Sequence, residues 1–483
     1  MRRDLLNLAL ICLVLLASCA GALAVDTRAL KKDAVQGVAG LSTTIDEISS
    51  KLWDFSETAL KEDRSAEYLT GILRGAGFEV EAGVADMPTA FVAVYGSGKP
   101  VIGILAEFDA LPGVGNDVVP ERKARADGVA SGQGCGHNLF AAASVGGALA
   151  LKDVIESHGL KGTVKLFGTP AEETVVGKVY MAKAGVFDGL DAVIDWHPAT
   201  DTEVRNQPGR ALNNFQVEFF GQAAHGAADP WNGRSALDAV EFMNYGANLM
   251  REHVKPTTRI HYVITSGGEA PNVVPEYAKV WYFVRAVNRE EVQEYYEWLL
   301  KIAEAAALAT QTTHRVQLLT GVHEYLLNRP LQEALQANLE WIGPVPFDEA
   351  DQEFAKKLQR YLDVEEKGFV AEIGPLADTA QPTTGGSTDA AEVSYLAPTA
   401  AFSITTAAEG VPWHSWATSA CHGTKAARKA ALTAAKVIAA TGVELLVDSE
   451  LLEAAQKYHL KALNGAPYVS PVPQDQKPLL PSK

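Results

Sequence analysis

Between residues 101 and 404 the chain repeats one rhythm: a short apolar run, then a loop rich in polar side chains, then a segment with helical spacing. The runs at 101–105, 163–167, 192–196 and 399–404 have the length and content of buried strands, and helices are expected at 139–155, 178–184 and 425–440. Such alternation implies helices packed on a largely parallel sheet, where sites form at the carboxyl ends of the strands. The loop after each run is therefore where chemistry is expected. The first run opens into Ala106-Glu107-Phe108-Asp109-Ala110-Leu111-Pro112, the second into Thr169-Pro170-Ala171-Glu172-Glu173, and the third ends on His197-Pro198. After the last comes Pro412-Trp413-His414-Ser415-Trp416.

Upstream, helices are expected at 41–60 and 65–74, the second closed by Gly75 and Gly77, followed by a strand at 90–95. From 210 to 322 the rhythm changes to strand 214–220, helix 235–251, strands 260–265 and 278–284, helix 290–309 and strand 314–319. This β-α-β-β-α-β order is the split, ferredoxin-like arrangement and reads as an inserted domain. The expected class is α/β. A main domain with a mixed sheet sandwiched by helices is built from 27–209 and 323–446 and interrupted by an α+β insert at 210–322. The tail, 447–483, begins helical and then becomes Pro-rich.

Residues 1–24 read as a targeting segment. Arg2 and Arg3 form its basic start, and 5–17 is apolar apart from Asn7, too short for a durable membrane span. Two exits are legible: cleavage after Ala22-Leu23-Ala24, or a lipobox, Leu16-Ala17-Ser18-Cys19, that would leave a lipidated Cys19. The protein is thus expected to be exported, either periplasmic or lipid-anchored, and to touch a membrane only through that anchor. Cys12 and Cys19 lie in this segment, so only Cys135 and Cys421 remain in the body and no disulfide framework is expected. A net charge of −17 argues against a nucleic-acid partner.

Gly132 to Asn138 reads GQGCGHN. A thiol and an imidazole one glycine apart can converge on a metal ion, although a plain glycine turn or a phosphate-cradling loop fits the same residues. No acidic residue closes a following strand at the distance a dinucleotide site needs, which counts against an oxidoreductase. Cys135, His137, Glu173, His197 and His414 are all good ligand types on loops of the main domain. Adjacent Glu172 and Glu173 point in different directions on an extended segment, so one could ligate while the other reaches a water. The remaining histidines, His158, His253, His261, His314, His323, His422 and His459, read as structural or surface residues, and Cys421 as a buried small residue.

Together AEFDALP, GCGHN, TPAEE, WHP, AAHGAADPWNGRSALDA, APNVVPEYAKVWYFVRA, GGSTDAAEVS and PWHSW resemble the dinuclear metallohydrolases of the aminoacylase and carboxypeptidase-G clan, over about residues 40 to 475. Within it the chain is most similar to the branch of the aminobenzoyl-glutamate hydrolases. The resemblance implies two divalent metal ions per subunit, zinc or manganese, with Cys135 bridging them. His137 and His197 would complete one site, and Glu173 and His414 the other. It further implies Glu172 as general base, Asp109 as the carboxylate that orients a ligating histidine, and His225 as an oxyanion donor reaching into a partner subunit. Asn272 and Arg285 would lie near the substrate carboxylate. The main domain would be catalytic and the insert a lid that forms a homodimer. The implied substrate is a small N-acyl or N-aroyl amino acid, cleaved at its amide. A dipeptidase or carboxypeptidase of the same clan, and an exported binding protein, are the alternatives. Two departures stand out: Glu107 occupies a position where other branches place a ligating histidine, and Gln133 leaves an outer polar contact of the loop open.

Overall fold

The apolar runs form two separate sheets, each with its own core. The structure is a computed structural model describing residues 26–383 and 385–481, so the targeting segment and both its exits lie outside the described residues. The main domain begins with helices α1 (Thr27–Gly40), α2 (Ser42–Phe55) and α3 (Asp63–Gly75). Then come strands β1 (Glu79–Ala82), β2 (Phe91–Ser97) and β3 (Val101–Glu107), helix α4 (His137–His158), β4 (Gly162–Thr169), α5 (Gly177–Lys183), β5 (Ala192–Ala199) and the two-residue β6 (Glu203–Val204). The insert comprises β7 (Ala211–Phe220), α6 (Ala236–Met250), β8 (Arg259–Ser266), β9 (Tyr277–Ala286), α7 (Arg289–Thr310) and β10 (Thr313–Val322). The main domain resumes with α8 (Arg329–Ile342), α9 (Glu349–Tyr361), α10 (Ala390–Leu396), β11 (Thr399–Thr405), α11 (Trp416–His422), α12 (Lys425–Val447) and α13 (Ser449–Leu463).

The large sheet has seven strands in the order β1-β2-β4-β3-β5-β11-β6. Its central strands β4, β3, β5 and β11 run parallel, and the flanking strands are antiparallel, making it a mixed sheet. The insert's sheet has the order β10-β7-β9-β8, antiparallel throughout, with α6 and α7 supplying its apolar cover. Along β9 the residues Ala278, Val280, Tyr282, Val284 and Ala286 are buried and their neighbours half-buried, the period of two that one covered face requires.

Helices α4 and α12 are apolar enough to cross a membrane by length and composition, yet both are buried between the sheet and neighbouring helices. Small side chains make that possible. A Cβ on Gly147 would come within 2.6 Å of Ile438, so the contact between these helices depends on the missing side chain. Beyond α13 the tail touches both domains: Tyr468 donates to Glu392 of α10, and Gln476 donates to the backbone of Leu318 and Leu319 on β10.

Candidate metal centre

Each ligand-type side chain arrives from a different element, all at one end of the large sheet. β3 ends on Glu107 with Asp109 just beyond it, β4 leads into a tight turn at Glu172–Thr174, β5 carries His197, and α4 starts at His137. His414 comes from the loop between β11 and α11. The backbone is strained where these groups are presented: Ala171, Val175 and His414 have φ of 58°, 52° and 56°, a region costly for residues with side chains. Gly136 is needed at φ 85°, since a Cβ there would also lie 2.8 Å from Pro198. The side chain of Gln133 completes the loop, its Oε1 accepting the Asn138 N–H at 3.1 Å. His422 and Cys421 are fully buried, with His422 Nδ1 2.6 Å from the Gln133 carbonyl, as structural residues would be.

Three groups of ligand atoms lie close enough to hold a metal ion. They are Cys135, His137 and His197; Cys135, Glu173 and His414; and Glu107, His137 and Glu172. Cys135 belongs to the first two. Its Sγ is 3.5 Å from His197 Nε2, and His414 Nε2 is 3.5 Å from Glu173 Oε2. His137 Nδ1 lies 3.0 Å from Asp109 Oδ1 and 3.1 Å from the Asp109 carbonyl, which leaves Nε2 turned toward the cluster. The other oxygen of Asp109 accepts the Glu173 N–H at 3.0 Å, so one carboxylate aligns two ligands.

The electrostatics fit a missing positive charge. Burial, reinforced by Glu107 and Asp389, raises Glu172 well above the usual carboxylate range, and burial raises Glu173 to about 8. Burial also pushes the Cys135 thiol far up, with Glu173 adding to the shift. It lowers His197 to about 4 and lowers His414, so both rings are neutral with a lone pair to give. Burial opposes charge on His137, but Cys135, Glu107 and Asp109 outweigh it and raise that ring. Glu173 Oε1 is buried with no hydrogen-bond partner, and Glu107 Oε2 and His137 Nε2, buried 3.1 Å apart, have only each other as close polar neighbours. Acceptor atoms left bare among reluctant acids are what a divalent cation satisfies.

A cavity of about 430 Å³ opens from this cluster, bounded by Trp413, Phe402 and Ser403 and also by Arg205 and Thr388. Its lining includes Cys135, Glu172, His197 and His414, but not His225, Asn272 or Arg285. His225 stays on the insert, where its Nδ1 accepts the N–H groups of Ala227 at 3.2 Å and Ala228 at 3.1 Å. Asn272 is exposed beside it, its carbonyl accepting the Gly226 N–H, and Arg285 lies 5.4 Å above the Phe283 ring. Sequence reasoning passed over Lys178, which is fully buried with Nζ 2.7 Å from Glu107 and 2.6 Å from Asp389. A lone lysine in the apolar stretch VVGKVYMA was the signal that could have found it.

A seven-stranded α/β domain with ligand-type side chains at its strand ends, a buried carboxylate beside them and an inserted ferredoxin-like domain defines a metal-dependent hydrolase of linear amides. Residues 103–441 match the model of the Peptidase family M20/M25/M40, and the chain belongs to that family. It is 37% identical over 460 residues to the B subunit of p-aminobenzoyl-glutamate hydrolase from Escherichia coli K12, covering 89% of this chain and 95% of that protein. It is 29% identical to the Xaa-Arg dipeptidase of Mus musculus, over 90% of this chain and 93% of the relative. The same fold is seen in a crystal structure of a dinuclear metal-binding M20 peptidase from Bacillus subtilis. That match has TM-score 0.56 and 18% identity, and covers 84% of this chain and 99% of that one.

Proposed function

We propose that the chain hydrolyses the amide of N-acyl or N-aroyl amino acids, aminobenzoyl-glutamate-like conjugates among them, and releases the amino acid. The observation that carries this reading is that Cys135 is shared by two metal-competent groups while the buried Glu172 carboxylate lines the cavity beside them. Two divalent ions, zinc or manganese, held by Cys135, His137 and His197 and by Cys135, Glu173 and His414, would polarise the scissile carbonyl and acidify the attacking water. Glu172 takes the proton of that water on a carboxylate oxygen and returns it to the departing amine. Its carboxylate is buried and lines the cavity beside the ligand-type groups, within reach of a water held there. Asp109, 3.0 Å from His137 Nδ1, orients that ring so that Nε2 faces the cluster. Trp413 and Phe402 give the cavity apolar walls that shed water from the bound acyl group.

Glu172→Ala should cut turnover by about 10²–10⁴-fold and leave metal content intact; retention of most activity would overturn the assignment. One observation favours a second reading, a dipeptidase: Asp195 and Glu203, neither a proposed ligand, bring carboxylates to the cavity, where a dipeptide's ammonium could sit. Parallel assays of N-benzoyl-amino acids and free-amino dipeptides separate the two.

Assembly and location belong to the same proposal. Phe242, Tyr245 and Leu249 on α6 and Val263 and Ile264 on β8 are exposed apolar residues beside the free edge of the insert's sheet, which supports pairing with a second copy there. The name of the Escherichia coli relative makes it one of two kinds of subunit, so a companion chain is the competing outcome of a mass measurement. The basic and apolar pattern of residues 1–24 supports export, periplasmic or anchored through Cys19.

A further inference from the structure

The cavity leading from the ligand cluster has carboxylates at Glu107, Glu172, Asp195 and Glu203, and among its lining residues Arg205 is the one lysine or arginine. Lys178 holds Glu107 at 2.7 Å, so that carboxylate is already matched from behind. Arg205 is matched only at a distance: Asp195 feels its charge, but among the described residues no ion-pair contact or side-chain hydrogen bond is made by its guanidinium, which lies 5.0 Å from the Tyr325 ring. Its backbone, by contrast, is pinned. The Arg205 N–H donates to the Ala401 carbonyl at 2.9 Å, and its carbonyl accepts from Gln332 Nε2 at 2.7 Å.

Register locates this charge relative to the ligands. Asp195 pairs with Ala401 across β5 and β11, His197 pairs with Ser403, and Ser403 pairs with Glu203 on β6. Arg205, bonded to Ala401, therefore continues the row of Asp195 two strands away, on the sheet face that also carries His197 and Glu203. Two strand spacings are about 10 Å. Arg205 and His197 line the same cavity, so one small substrate seated there can meet both. Asp195 Oδ1 and the Tyr325 hydroxyl are buried without hydrogen-bond partners in the same neighbourhood, so the protein leaves polar atoms unsatisfied around this guanidinium rather than bonding them to it.

We propose that Arg205 is the anchor for a carboxylate on the amino-acid half of the substrate, a specificity residue distinct from the insert arginine Arg285. The inference rests on the amidohydrolase reading above. A guanidinium and a carboxylate form paired, charge-assisted hydrogen bonds, and a neutral amide in the same place cannot. The anchor thereby fixes which end of the substrate faces the cluster and selects acids over their amides.

The test measures binding, so it does not depend on turnover. Metal-loaded full-length Glu172→Gln protein is titrated calorimetrically with N-benzoyl-glutamate and with its diamide, in which both carboxylates are carboxamides. The acid should bind at least about tenfold tighter than the diamide. Adding Arg205→Met should weaken the acid about 10–100-fold while leaving the diamide unchanged, and Arg205→Lys should restore part of the preference. Unchanged diamide affinity also shows that the variant is folded. Equal loss for both ligands, a preference that survives Arg205→Met, or no preference in the parent protein would each overturn the proposal. Failure of the hydrolase reading is seen separately, as absence of turnover by the enzyme with Glu172 intact.

Discussion

At the scale of single residues, the site depends on groups that hold ligands as much as on the ligands themselves. Asp109 offers one oxygen to His137 Nδ1 and the other to the Glu173 N–H. An asparagine can keep only one of these contacts in its present form, so Asp109→Asn should lower metal affinity about 10–100-fold, measured by competition with a chelator. Unaltered affinity would mean that the loop backbone alone sets the ligands. The five proposed ligands, Asp109 and Glu172 were legible because each follows an apolar run or sits in a glycine loop, positions where a polar side chain has little structural reason to be. Lys178 was not, because what justifies a buried ammonium is Asp389, 211 residues later in the chain. Burial alone would strip its proton, but Asp389 and Glu107 hold it above its ordinary value. Arg205 was equally silent: its meaning lies in a two-strand offset from β5 that only β11 reveals.

At the scale of elements, the strand–loop–helix rhythm foretold the parallel centre of the sheet, and the β-α-β-β-α-β order foretold the insert's sheet. Helix α1 escaped notice because its buried positions, Leu30, Ala34 and Val38, form a narrow stripe among lysines and aspartate. Strand β1 escaped because an edge strand reading EVEA is mostly exposed. The helix expected to reach residue 60 stops at Phe55, where Ser56 takes φ 41° and turns the chain toward α3. Helix α3 then follows Glu62, its N-cap residue, whose carboxylate accepts the N–H groups of Leu60 at 2.9 Å and Ala171 at 3.0 Å and the Thr89 hydroxyl at 2.9 Å. Burial, with the charge of Asp109, raises Glu62 from 4.5 to about 8. Folding therefore takes up a proton between those values, and the associated stability is present at low pH and lost as pH rises through about 8. Glu62→Gln removes that titration. Its unfolding temperature should gain on the wild type by roughly 2 °C or more between pH 5 and pH 8, and a constant difference would contradict this account.

At the scale of the whole molecule, the cavity and the insert divide the work. All the proposed ligands and the base come from the main domain, whereas His225 stands on the insert outside its own chain's cavity. If His225 serves a second copy, a dimer mixed from Glu172→Ala and His225→Ala chains retains one site with both groups intact and should recover about half the wild-type activity per mixed dimer. Proven mixed dimers that stay inactive would rule out a shared site. Whether Cys135 gathers two metal ions for amide hydrolysis is decided by metal content. Purified protein should carry close to two divalent ions per subunit, lose N-acyl-amino acid hydrolysis on chelation and regain it with zinc or manganese. Protein that holds no metal when reduced and metal-supplemented, or that hydrolyses these amides without any, would contradict that role.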